Sequence, residues 1–167
     1  MGKAYYDLAR ELFLSGPLRQ GLAYGQRAIA LLEHAAGDEW WLGLTYWVVG
    51  SLHGLLGDFA AALAATALAQ AIGAALDDLH VQSYAASATG WIEAMRGEGS
   101  AGIAACQQSL AWALDPVNVA LAKGTLGYAY LEQGEASQAI PLLEQSAQQW
   151  GAFGQRAMHG CSDQQAR

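Results

Sequence analysis

Apolar residues recur along the chain at three- and four-residue spacing, as in Leu8–Leu12, Ile29–Leu32 and Leu126–Tyr130. That is the spacing of one face of an α-helix, and two-residue alternation is nowhere sustained. Short breaks interrupt the periodicity at Ser15-Gly16-Pro17, Gly57-Asp58, Gly97-Glu98-Gly99-Ser100 and Gly134-Glu135. A second set falls at Gly37-Asp38, Asp77-Asp78 and Asp115-Pro116. Glycine suits the end of a helix, and aspartate the cap that starts the next. The pattern predicts eight helices, over about 3–15, 18–35, 39–56, 59–76, 79–96, 100–114, 117–133 and 136–150. Connections this short force successive helices into antiparallel hairpins. Thirty-five alanines and only three prolines agree with an all-α chain.

The hairpins repeat. The turn glycines Gly16, Gly57, Gly97 and Gly134 are 41, 40 and 37 residues apart. Seven residues before each stands a small residue: Ala9, Gly50, Gly90 and Gly127. Five residues after each stands another: Gly21, Ala62, Gly102 and Ala139. Two helices approach closely only where both backbones are bare, so these columns are expected to face each other within each hairpin. Apolar columns lie beside them: Leu8, Val49, Thr89 and Leu126, and Leu22, Leu63, Ile103 and Ile140. These are expected to fill the gaps between neighbouring hairpins.

Tyr46, Val49-Gly50, Gly57-Asp58-Phe59 and Ala62, with Leu126-Gly127, Tyr130, Gly134-Glu135 and Ala139, resemble the tetratricopeptide repeat (TPR). The resemblance covers about residues 2–150, in units of about 2–36, 39–77, 79–115 and 117–150. It implies a right-handed superhelix of four antiparallel helical hairpins. The longer spacing, and the wording from Gly127 to Gly134, are similar to the C-terminal helical repeats of large bacterial signalling ATPases and cyclases. Residues 151–167 read as a polar tail or a partial capping helix.

Charge narrows the function. Eight basic against fifteen acidic residues leave a net charge of −7. No basic stripe can be drawn, so nucleic-acid binding is not expected. The alanine-rich run over 59–72 is too short to span a membrane, and the N-terminus has no apolar core of signal-peptide length. A cytoplasmic protein is expected. Cys106 and Cys161 do not make a disulfide framework. No metal-ligand spacing occurs among His34, His53, His80 and His159. His53 reads as a packed core histidine, and Asp77-Asp78-x-His80 as capping and solvated residues at a helix break. No nucleophile motif or phosphate loop is present. The expectation is a chain with no catalytic residues, metal or cofactor.

The aromatic residues carry the positive signal. In the resembled family the first helix of each hairpin lines a concave groove. The groove positions fall thirteen, ten and six residues before the turn glycine. Here they are Lys3, Tyr6 and Arg10; Leu44, Trp47 and Ser51; Tyr84, Ser87 and Trp91; Leu121, Gly124 and Tyr128. Tyr6, Arg10, Trp47, Tyr84, Trp91 and Tyr128 are the predicted partner-binding residues, on one connected and partly exposed face. Trp40, Trp41, Trp112 and Trp150 fall off that face and read as packing residues. The reading is a non-catalytic scaffold presenting an aromatic groove to a peptide or protein, with apolar or mildly basic ligands favoured. The alternative is a small-molecule-sensing or self-association module of a larger signalling protein. A homodimer is expected through the end face of the last hairpin, around Leu142, Leu143 and Trp150, which the tail covers poorly.

Overall fold

The computed structural model describes the backbone of residues 1–165 and the side chains of residues 1–153. These residues form eight helices and no strand: α1 (Gly2–Ser15), α2 (Leu18–Leu32), α3 (Glu39–Leu55), α4 (Phe59–Ala75), α5 (Leu79–Met95), α6 (Gly99–Trp112), α7 (Pro116–Glu132) and α8 (Ala136–Gln165). Each boundary has a local cause. The turn glycines and Gly37 all take left-handed backbone, with φ between 75° and 113°, a region that costs residues with a Cβ dearly. Asp58, Asp78 and Asp115 accept backbone N–H bonds from the first turns of α4, α5 and α7. Asp77 takes φ 51° between α4 and α5, the one non-glycine with positive φ among the described residues.

The final helix departs from expectation. It does not stop at residue 150 but continues to Gln165. Pro141 lies inside it, where the missing N–H interrupts only one bond of the ladder. Residues 151–165 are therefore a continuation of α8, and no separate capping helix folds back.

Within each hairpin the two small columns meet. A Cβ at Gly50 would lie 3.0 Å from the Ala62 carbonyl, and one at Gly127 would lie 3.2 Å from that of Ala139. Gly90 and Gly102 approach so closely that a Cβ on either would lie under 3.0 Å from the other's carbonyl oxygen. Between hairpins the neighbouring column works as expected. Val49 packs over Gly25 of α2, and Thr89 hydrogen-bonds Thr66 of α4 at 2.9 Å. A buried polar knot joins the third and fourth hairpins. Ser109 Oγ donates to the Ser83 carbonyl at 2.8 Å, and Ser83 Oγ lies 2.9 Å from Asn118 Oδ1.

Curvature follows from which helices touch. The odd-numbered helices contact one another in series, α1 to α3, α3 to α5 and α5 to α7. Among the described residues no even-numbered helix contacts another. The odd helices therefore occupy the shorter, inner side of a curved stack, with α2, α4 and α6 outside. α3 and α5 are packed on almost every side, which buries most of their residues.

Candidate functional site: an aromatic channel on the inner face

Three adjoining, half-open cavities lie along the inner helices. The largest, about 390 Å3, is lined from α1 by Tyr6, Asp7, Arg10, Phe13 and Leu14. From α3 come Trp40, Trp41, Leu44 and Trp47, from α5 His80 and Tyr84, from α7 Val117 and Leu121, and from α8 Trp150. The second adds Ser51, Ser87, Trp91 and Thr125, and shares Phe13, Trp47 and Leu121 with the first. The third reaches Gly124, Tyr128 and Ser146, and shares Trp91, Leu121 and Thr125 with the second. Shared walls make these one channel running along all four hairpins.

The predicted groove positions line this channel with one exception. Lys3 instead pairs with Asp38 at 2.7 Å and lies over the Trp41 ring. The expected openness is not found at the deep end. Tyr6, Trp47 and Tyr84 keep only 6%, 8% and 8% of their surface exposed. The cause is mutual packing of their rings, while Trp91 and Tyr128 remain half-buried towards the shallow end.

The rings around the large cavity form an unbroken series. Phe13 meets Trp47 at 6.3 Å between centroids, and Trp47 meets Tyr84 at 4.4 Å. Tyr84 meets His80 at 4.8 Å, His80 stacks on Trp40 at 5.7 Å, Trp40 meets Trp41 at 4.9 Å, and Trp41 meets Tyr6 at 5.5 Å. Such offset and edge-to-face pairs hold one another in place. His80 is anchored from behind, with Nδ1 2.9 Å from Asp115 Oδ2. Asp115 uses its other oxygen to cap α7. Burial pushes the Tyr6 hydroxyl up to about 12, and pushes Tyr84 up further, with the Asp115 charge adding to it. Both phenols are therefore neutral donors at ordinary pH.

Four assignments need correction. Trp40, Trp41 and Trp150 were expected off the groove face and instead line the large cavity. His80 is more than a capping neighbour, since its ring is part of the lining. The sequence held the signal for two of these. Trp40, His80 and Val117 lie seventeen residues before their turn glycines, one turn beyond the Leu44, Tyr84 and Leu121 positions on the same helix face. The end-face residues are partly covered by their own hairpin. Leu143 packs onto Gly127, and Leu142 joins the cluster of Leu126 and Ala129, so both are half-buried within their own hairpin. Trp150 stays 44% exposed, but it faces the channel and contacts Phe153.

The chain matches no protein-family model, and no curated protein matches it. Solved structures share its architecture. BtubC (BKLC) from P. vanneervenii superposes with a TM-score of 0.65, at 15% identity, over 90% of this chain and 63% of that one. MamA superposes with a TM-score of 0.57, at 16% identity, over 92% of this chain and 81% of that one. The fold is a tetratricopeptide-like helical repeat. The chain spans less than two thirds of BtubC's length, and identities this low establish the fold alone. Among the described residues, no helix is long and apolar enough to cross a membrane.

Proposed function

We propose that the chain is an interaction scaffold that captures a peptide or protein segment along its inner channel. The observation that carries this reading is the continuity of the three cavities across all four hairpins. A single small ligand needs one cavity, whereas a segment in extended or helical form uses a line of them. The chemistry of the walls suits a polypeptide. Tyrosine and tryptophan combine large apolar area with a polar tip, and they dominate the energetics of protein interfaces. Arg10 and Asp7 at the deep end supply polar contacts for a backbone, whereas the Ser51, Ser87 and Thr125 hydroxyls along the middle are already paired within the protein.

The test is selection of random peptides on the intact chain, followed by titration of the winners against channel variants. Trp91 and Tyr128 are half-buried at the shallow end, so Trp91→Ala and Tyr128→Ala should fold. Each is expected to weaken a channel-bound peptide by about tenfold or more, the loss typical of an interface hot spot. Winners that bind both variants as tightly as the parent chain would place recognition elsewhere and refute the reading.

A further inference from the structure

We infer that the deep end of the channel is a cage for a positively charged side chain, so that the captured segment is anchored by a lysine or arginine. This deepens the preceding reading and rests on it. Three observations converge. The first is the lining. The ring series from Phe13 to Tyr6 surrounds one cavity of about 390 Å3, at the small end of the range for ligand sites. Aromatic faces carry negative potential and attract cations, most strongly where water is excluded.

The second observation is where the chain's own cations lie. Lys3 sits 5.5 Å from the Trp41 centroid, and Arg27 sits 6.0 Å from those of Tyr5 and Tyr24. Trp41 in the cavity wall, and Tyr5 and Tyr24 at the α1–α2 contact, are thus already matched to cations. Among the described residues no cation lies over Tyr6, Trp47 or Tyr84. The most buried rings of the series are the ones left without such a partner.

The third is the fixed charge. Arg10 and Asp7, one turn apart on α1, both line the cavity, and both charges reach Tyr6, that of Arg10 the more strongly. Asp115 does not line the cavity, but it stands behind His80 at 2.9 Å and its negative charge reaches Tyr84. With a net charge of −7, the whole chain reinforces the same sign.

Three probes of nearly one shape isolate the chemistry: choline, 3,3-dimethyl-1-butanol and 3,3-dimethylbutyrate carry a bulky head on a short chain with charge positive, zero and negative. Binding is read by tryptophan fluorescence, since Trp40, Trp41, Trp47 and Trp150 all line the cavity. Choline is expected to bind about tenfold more tightly than the neutral alcohol, the effect of a desolvated cation–π site. Trp47→Leu should abolish the preference. Should that variant fail to fold, Asp7→Asn provides the check, because Asp7 is exposed on α1. It should weaken choline severalfold, leave the alcohol unchanged and leave the melting temperature unaltered. Equal binding of choline and the alcohol, or tighter binding of the carboxylate, would overturn the cage. The probes contain no peptide, so the two readings fail separately. A choline preference without any channel-binding peptide leaves the cage and removes the peptide. Peptide binders that lose nothing when lysine becomes norleucine keep the channel and remove the cage.

Discussion

Gly90 offers the sharpest test of the repeat geometry. A Cβ built there would lie 2.4 Å from Cys106 Sγ, 2.7 Å from the Gly102 carbonyl oxygen and 2.8 Å from the Cys106 backbone nitrogen. Ordinary non-bonded contacts are about 3.5–4.0 Å. The sulfur can rotate, but the carbonyl and the amide belong to the backbone of α6. Accommodating one methyl group therefore means moving α6 away from α5, and with it the polar knot of Ser83, Ser109 and Asn118. Overpacking of this kind costs about 1–3 kcal/mol. Alanine returns up to about 1 kcal/mol, because glycine is the poorer helix former. The net expectation for Gly90→Ala is a loss of about 1–2 kcal/mol.

Gly151 supplies the control. It too is helical, and among the described residues a Cβ there meets nothing within 4 Å. Gly151→Ala should stabilise by about 0.5–1 kcal/mol, the propensity difference alone. Urea denaturation of both variants measures the contrast. For a chain of this size each kcal/mol shifts the melting temperature by about 2–4 °C, so the two variants should melt clearly apart. If Gly90→Ala is as stable as the parent chain, α5 and α6 do not approach at that point, and the facing of the small columns is wrong.

Two further predictions follow from single groups. Tyr6 is held neutral up to about 12 by burial, and Tyr84 is raised in the same direction, whereas an unfolded tyrosine ionises near 10. The stability they confer is intact below about pH 10 and is lost as pH rises towards 12, by up to about 1.4 kcal/mol per pH unit for each tyrosine; urea midpoints should fall steeply over that window, and Tyr6→Phe should flatten the fall. Asp77 holds φ 51° without serving as the cap, which Asp78 provides; Asp77→Gly should therefore raise stability by about 0.5–1 kcal/mol, read as a higher melting temperature, and a drop would refute the strain.

Much of this architecture was written in glycine and alanine. Gly16, Gly57, Gly97 and Gly134 marked the turns because no other residue takes their backbone so cheaply. Ala9, Gly50, Gly90 and Gly127 marked the contacts because nothing larger fits. Both signals depend on what is missing from a side chain, and backbone spacing alone reveals them. The channel was legible in part, through its positions but not its depth. Whether Tyr6, Trp47 and Tyr84 stay open or close on one another depends on how tightly the stack curves, and that is a property of every inter-hairpin contact together. His80 was obscure for another reason. Its partner Asp115 lies 35 residues away, across the third hairpin, and local spacing suggested the adjacent Asp77 and Asp78 instead. The length of α8 was hidden by Gly151, a poor helix residue inside a continuous helix.

Each inner helix carries three separate stripes, and their angular spacing explains why packing and recognition do not compete. With 3.6 residues per turn, the channel positions at seventeen, thirteen, ten and six residues before the turn glycine fall within a narrow sector. The small column at seven lies about a quarter turn away and faces the second helix of its own hairpin. The apolar column at eight lies on nearly the opposite side and meets the hairpin before. α3 and α5 use all three stripes, which leaves them little amphipathic character and little exposed surface. On α1 the third stripe meets no helix among the described residues, and Leu8 is 45% exposed. Substitutions should separate along the same lines. Gly90→Ala acts on the second stripe and should lower stability with the choline preference kept, because the deep cavity takes no residue from α6. Asp7→Asn acts at the cavity wall and should do the reverse. A Gly90→Ala chain that still folds but no longer distinguishes choline from the neutral alcohol would show that stripe and channel are one system, and that the separation read from the helix geometry is false.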